Sequence, residues 1–107
     1  MTNIILATDS YKHSHFLQYP PEAAIISAYV EARINEFSDD LVFFGLQPYL
    51  LDLLGKPISA ADIDEGDAVC RAHGVPFNRA GWEAILTDHG GYLPIEVKAL
   101  PEGMIVP

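Results

Sequence analysis

Two hydrophobic periods run along this chain and divide it into candidate strands and candidate helices. Over residues 24–33 the pattern alternates: Ile26, Ala28, Val30 and Ala32 share one face, and Ile25, Ser27, Tyr29, Glu31 and Arg33 share the other. A period of two predicts a strand, here with one apolar and one mixed face. Residues 93–100 alternate in the same way, with Leu93, Ile95, Val97 and Ala99 opposite Pro94, Glu96 and Lys98. Between these segments the period lengthens. Trp82, Ile85, Leu86 and His89 recur at i, i+3, i+4 and i+7, one face of a helix that Asn78 can cap and Gly90-Gly91 ends. Ser59-Ala60-Ala61-Asp62 has the form of a capping box, with Asp in place of the usual Glu. It predicts a helix to about His73, closed by Gly74 and Pro76.

Punctuation supplies the remaining elements. Ile4-Ile5-Leu6-Ala7 reads as a buried strand or a packed extended segment. Thr8 or Asp9 can then cap a helix over residues 10–18. Tyr19-Pro20-Pro21 stops it, because a residue before proline is pushed out of the helical region. Residues 35–40 form a polar connection, and residues 41–54 read as a helix ended by Gly55. Proline is tolerated in a first helical turn, so Pro48 sets the regular start near Gly45, with residues 42–44 leading in. Pro101-Glu102-Gly103 is a turn, and Met104-Ile105-Val106 opens another strand. The sequence stops at Pro107 straight after that strand starts, so the chain is expected to be cut from something larger. The expected fold class is α+β, a small mixed sheet with flanking helices, in one domain over residues 1–107.

Composition fits this picture. Half of the 107 residues are hydrophobic and a fifth are charged, which suits a folded globular domain rather than disorder. The net charge of −9 is the wrong sign for a nucleic-acid or anionic-membrane footprint. It leaves room for a phosphate site built from one or two well-placed cations. A single cysteine, Cys70, forbids an internal disulfide, fits a reduced cytoplasmic compartment, and reads as a small core residue on its helix. The opening residues lack the basic region of a signal peptide, and no apolar run is long enough to span a bilayer.

Most of the candidate chemistry has an ordinary reading. His13 and His15 point to nearly opposite sides of a helix, and with His73 and His89 they suggest packed or solvated histidines rather than metal ligands. Asp62, Asp64, Glu65 and Asp67 read as a solvated face near a helix N-terminus. Glycine-rich phosphate motifs are absent. Two places carry more. Thr8-Asp9-Ser10-Tyr11-Lys12 lies where the first extended segment meets the first helix, a junction that presents side chains to a ligand unless Asp9 merely caps and Tyr11 merely packs. On the strand 24–33, Tyr29, Glu31 and Arg33 share a face, either for binding or as a surface ion pair of small value.

The words themselves resemble a known family. Asn3 to Lys12 with His15 and Gln18-Tyr19-Pro20-Pro21, then Glu31 and Arg33, Phe44-Gly45-Leu46-Gln47, Gly81-Trp82, and Leu93 through Gly103 follow in the order found in nicotinamide phosphoribosyltransferases. The connection between Arg33 and Phe43 is shorter than in animal enzymes, and Pro48 replaces a bulky residue. Both features suggest a bacterial or phage-type member. The resemblance implies the N-terminal part of a type II phosphoribosyltransferase, with the catalytic barrel absent from this chain. It implies transfer of phosphoribosyl from phosphoribosyl pyrophosphate to nicotinamide, with magnesium on the pyrophosphate and ATP hydrolysis coupled through a phosphohistidine. It implies a cytoplasmic homodimer in which Asp9 and Tyr11 reach the neighbouring subunit's pocket, the tyrosine stacking on the pyridine ring, and Arg33 lies near the phosphates. No catalytic or metal-ligating residue is carried over, and the isolated chain is expected to be inactive and to hold no cofactor. The alternatives are a segment of a nicotinate enzyme and a free-standing module that binds a partner.

Overall fold

The computed structural model describes residues 2–34 and 36–107. Its centre is a pair of helices, α2 (Ala60–His73) and α3 (Arg79–His89). Both begin as their caps dictate. The Ser59 hydroxyl accepts from the Asp62 amide at 3.2 Å while the Asp62 carboxylate accepts from the Ser59 amide at 2.7 Å, so the capping box closes with the shorter acid. The Asn78 side chain accepts from the Gly81 amide at 3.1 Å.

The core is small. Ile5, Ile58, Ile63 and Cys70 are buried, and Phe77, Trp82, Ile85 and Leu86 pack partly buried around the isoleucines. Three of the four positions predicted for the inward face of α3 therefore point to the core, while His89 is exposed. Cys70 lies buried as expected, and burial raises its thiol pKa, so it is a packing residue and a poor nucleophile.

Three predicted elements take another form. Residues 4–6 are a 3-10 turn rather than a strand, because the Asn3 side chain accepts from the Ile5 amide at 3.0 Å and curls the chain. Asn3 Nδ2 also donates to the Asp62 carbonyl and to Glu65, both at 2.9 Å, which ties this turn to α2. Ser10–Gln18 is helical, but 3-10 rather than α. Its run of Ser, Tyr, His and Phe has middling helix propensity, Asp9 gives it no side-chain cap, and Ser14 bonds back to the Tyr11 carbonyl at 2.9 Å. The predicted helix over 41–54 splits. Leu41–Phe43 is a strand, β1, and the helix starts at α1 (Leu46–Tyr49) and widens into a π turn, Leu50–Leu54. Pro48 explains the break, since its ring would clash with the carbonyl four residues back at Phe44.

β1 pairs antiparallel with β2 (Met104–Val106), with Leu41 opposite Val106, Val42 opposite Ile105 and Phe43 opposite Met104. The sheet among the described residues is this antiparallel pair, not a mixed sheet. Neither 24–33 nor 93–100 forms a strand, although both alternate. A strand needs a paired neighbour, and among the described residues the strand pairing is that of β1 with β2, which neither segment joins. Of the polar connection predicted at 35–40, Asn35 lies outside the described residues.

Candidate functional site

The junction between the first turn and the second 3-10 helix is held from below by Asn3 and Ile5, so residues 8–12 stand on a packed base. Asp9 occupies the N-cap position in extended geometry, yet its carboxylate makes no hydrogen bond to the helix. Instead the Lys12 ammonium lies 3.7 Å away, in a pair with both side chains largely exposed. Tyr11 is 60 % exposed, and its ring meets His15 at 5.7 Å between centroids and a 57° tilt. His13 turns the other way, 6.5 Å from Phe77. Asp9 and Tyr11 thus stand near one another at the surface, the carboxylate beside Lys12 and the ring against His15. Arg33 is exposed in an irregular segment, and no hydrogen bond, ion pair or ring contact joins it to Asp9, Tyr11 or Glu31.

Beside the junction is a cleft of about 400 Å³ between the first turns and α3. Trp82 and Ile85 give it an apolar wall, and Thr8, Lys12 and His13 a polar rim. Asp9, Tyr11 and Arg33 do not line it. Among the described residues no three His, Cys, Asp or Glu side chains are grouped so that they could hold a metal ion.

Two polar clusters escaped the sequence reading. Arg79 joins Asp64 at 2.8 Å, Asp67 at 3.0 Å and Glu83 at 3.2 Å, and Arg71 joins Asp67 at 3.0 Å. The hydrogen bond from Arg71, then that from Arg79, holds the Asp67 carboxyl below the ordinary range. Asp67 is therefore a clamp between α2 and α3 rather than part of a solvated face. The i, i+4 spacings Asp67–Arg71 and Glu83–Arg79 were a readable signal; the crossing from Arg79 to α2 was not.

The second cluster is Glu102. Its carboxylate accepts from the Gln47 amide at 2.7 Å and from the Gly45 amide at 2.9 Å, which caps α1 from a turn 55 residues away in sequence. The Gly103 amide also donates to the Phe43 carbonyl at 2.7 Å. These bonds fasten the Phe44–Gln47 segment to the Pro101–Gly103 turn. The amides of Gln47, then Gly45, hold the Glu102 carboxyl below its ordinary value. Because the folded pKa is depressed, this contribution is complete above the unfolded value of about 4.3 and is lost as pH falls through the folded value. Glu102→Gln is expected to be less stable at neutral pH and to lose less on acidification. Melting temperatures taken between about pH 6 and pH 3 check this; parallel curves for the two proteins would assign the acid sensitivity elsewhere.

The sequence matches the family described as nicotinamide phosphoribosyltransferase, N-terminal domain, over residues 3–97. The chain belongs to this family. It is 49 % identical over its whole length to a nicotinamide phosphoribosyltransferase of Xanthomonas campestris pv. campestris (strain 8004). It is 30 % identical over 94 % of its length to one of Acinetobacter baylyi (strain ATCC 33305 / BD413 / ADP1). In each case it spans 23 % of the relative's length. The nicotinamide phosphoribosyltransferase N-terminal match takes in Asp9, Tyr11, Arg33 and the cleft, and stops short of Glu102 and β2. Among the described residues no helix is long and apolar enough to cross a membrane.

Proposed function

We propose that this chain is the N-terminal segment of an NAD-biosynthesis enzyme that transfers phosphoribosyl from phosphoribosyl pyrophosphate to nicotinamide, giving nicotinamide mononucleotide and pyrophosphate. The family match over residues 3–97, with relatives bearing that name, carries the reading. The complete enzyme is a cytoplasmic homodimer, and this segment supplies pocket residues rather than the reacting groups. Magnesium, when bound, neutralises the pyrophosphate, and it and ATP belong to the portion outside this chain.

The geometry supports a supply of pocket residues in three ways. Tyr11 leaves most of its ring uncovered, and a flat pyridine gains about 0.5–1.5 kcal/mol from stacking beyond simple burial. Asp9 is committed only to an exposed pair with Lys12, so its negative charge is free to disfavour a nicotinate carboxylate relative to a neutral carboxamide. Arg33 has no protein partner among the described residues, and its planar fork suits phosphate oxygens.

The full-length polypeptide, supplied with phosphoribosyl pyrophosphate, magnesium and ATP, should form the mononucleotide from nicotinamide with a higher kcat/KM than from nicotinate. A preference for nicotinate, or no turnover of either base, overturns the proposal. In the same assay Arg33→Ala should raise the KM for phosphoribosyl pyrophosphate roughly ten- to a hundredfold, the cost of a charge-assisted phosphate contact, and change that for nicotinamide little. Equal changes for both substrates would make Arg33 a structural residue.

A further inference from the structure

Lys12 links the junction to the cleft beside it. Its side chain borders the cleft with Phe16 and Trp82, and its ammonium turns back to stand 3.7 Å from the Asp9 carboxylate. The local helix fixes that meeting. A 3-10 helix has three residues per turn, so side chains at i and i+3 lie one above the other. Asp9 and Lys12 have this spacing at the helix start, and the Lys12 amide donates to the Asp9 carbonyl at 3.0 Å. Tyr11 does not come between them, because its ring meets His15 further along the helix. Among the described residues no other cation pairs with Asp9.

A base stacked on Tyr11 therefore meets two opposite charges rather than one. At physiological salt, charges more than about 8 Å away are largely screened, so this local pair outweighs the chain's net charge of −9. We infer that Lys12 is a specificity-determining residue: its ammonium opposes the Asp9 carboxylate at the base pocket and so limits how strongly the site rejects nicotinate in favour of nicotinamide. This deepens the reading of Asp9 and Tyr11 as pocket residues and rests on it. It holds whichever subunit's pocket they serve, since the pair travels with the junction. Nicotinamide is neutral, and the charge at position 12 acts on it weakly. Nicotinate carries a full negative charge, so losing the ammonium removes an attraction that nicotinate alone feels. Exposure sets the size of the effect. The Lys12 and Asp9 side chains are 49 % and 64 % exposed, and exposed charges interact weakly, so each unit of charge should change the preference about two- to fivefold.

The test is a charge series in the full-length polypeptide, Lys12→Arg, Lys12→Met and Lys12→Glu, read as Kd and kcat/KM for each base. The ratio favouring nicotinamide should stay within about twofold of the parent in Lys12→Arg, rise about two- to fivefold in Lys12→Met and rise about four- to twenty-five-fold in Lys12→Glu. The change should appear in nicotinate binding, with kcat and the constants for nicotinamide little altered. Raising the salt to about 0.5 M should compress the series. A packing role would follow side-chain size, affect both bases alike and ignore salt. An unchanged ratio across the series, a ratio that falls as positive charge is removed, or equal changes for both bases overturns the inference. A change confined to the KM for phosphoribosyl pyrophosphate would make Lys12 a phosphate contact and also overturns it. Lys12→Gln supplies the neutral point should Lys12→Met not fold. A protein that binds both bases and turns over neither defeats the proposed reaction, and its Kd ratios still decide the role of Lys12; a protein that binds neither base defeats both.

Discussion

On the homodimer proposed above, full-length protein carrying Tyr11→Ala should lose at least about thirtyfold in kcat/KM for nicotinamide, and mixing it with subunits disabled in the barrel should restore about a quarter of wild-type activity. The loss follows from truncating an aromatic anchor in a desolvated pocket, which costs about 2 kcal/mol or more. The recovery follows from the geometry at residues 8–12. Tyr11 and Asp9 stand on a packed base with their functional atoms outward, and the described contact of the tyrosine ring is with His15 on its own helix. A side chain presented in this way can serve a neighbouring subunit. In a mixed dimer one site then combines an intact Tyr11 with an intact barrel, while the other lacks both. Random exchange makes about half the dimers mixed, each with one good site, which gives roughly a quarter of full activity for independent sites. No recovery after verified exchange would place Tyr11 in its own subunit's pocket or in packing. His15→Ala is the control, since it removes the ring contact and should leave most activity in place.

The parts of this fold that were legible are those decided within a few residues. The Ser59–Asp62 box and the Asn78 cap announced α2 and α3, and the spacing of Trp82, Ile85 and Leu86 gave the buried face of α3. What required a partner distant in sequence was not legible. The alternation at 24–33 and 93–100 is real, but alternation states only that a strand is possible, and the pairing edge must come from elsewhere. Residues 42–44 read as a lead into a helix, whereas Leu41–Phe43 is a strand whose partner lies more than 60 residues on. In the sequence Glu102 is one residue of a turn, and its bonds from the Gly45 and Gln47 amides exist only where the fold brings that turn to α1. For the site, the residues alone left Asp9 and Tyr11 open between capping or packing and binding. Asp9 makes no side-chain cap, and the Tyr11 ring is largely exposed with its contact to His15.

The largest loss of stability from a single methyl group is expected at Gly91. Gly90 and Gly91 end α3 together, both with positive φ, 61° and 87°. Their surroundings differ. A Cβ on Gly90 would meet nothing within 4 Å, whereas one on Gly91 would stand 2.5 Å from the Ile58 carbonyl oxygen and 3.0 Å from the Pro57 side chain. Neither neighbour can move away cheaply. The Ile58 amide donates to the Gly91 carbonyl at 2.9 Å, and the Ile58 side chain is buried in the core. Gly91→Ala therefore combines a left-handed backbone, about 1–2 kcal/mol, with loss of that hydrogen bond, about 0.5–1.5 kcal/mol, and a shift of the core strand of chain that makes it. A total on the order of 2–4 kcal/mol lowers the melting temperature by roughly 10–30 °C in a domain of this size. Gly90→Asn isolates the backbone contribution, because asparagine tolerates the left-handed region, and should lower it by no more than about 5 °C. Similar small shifts for both variants would mean that the approach of Gly91 to Ile58 is not fixed.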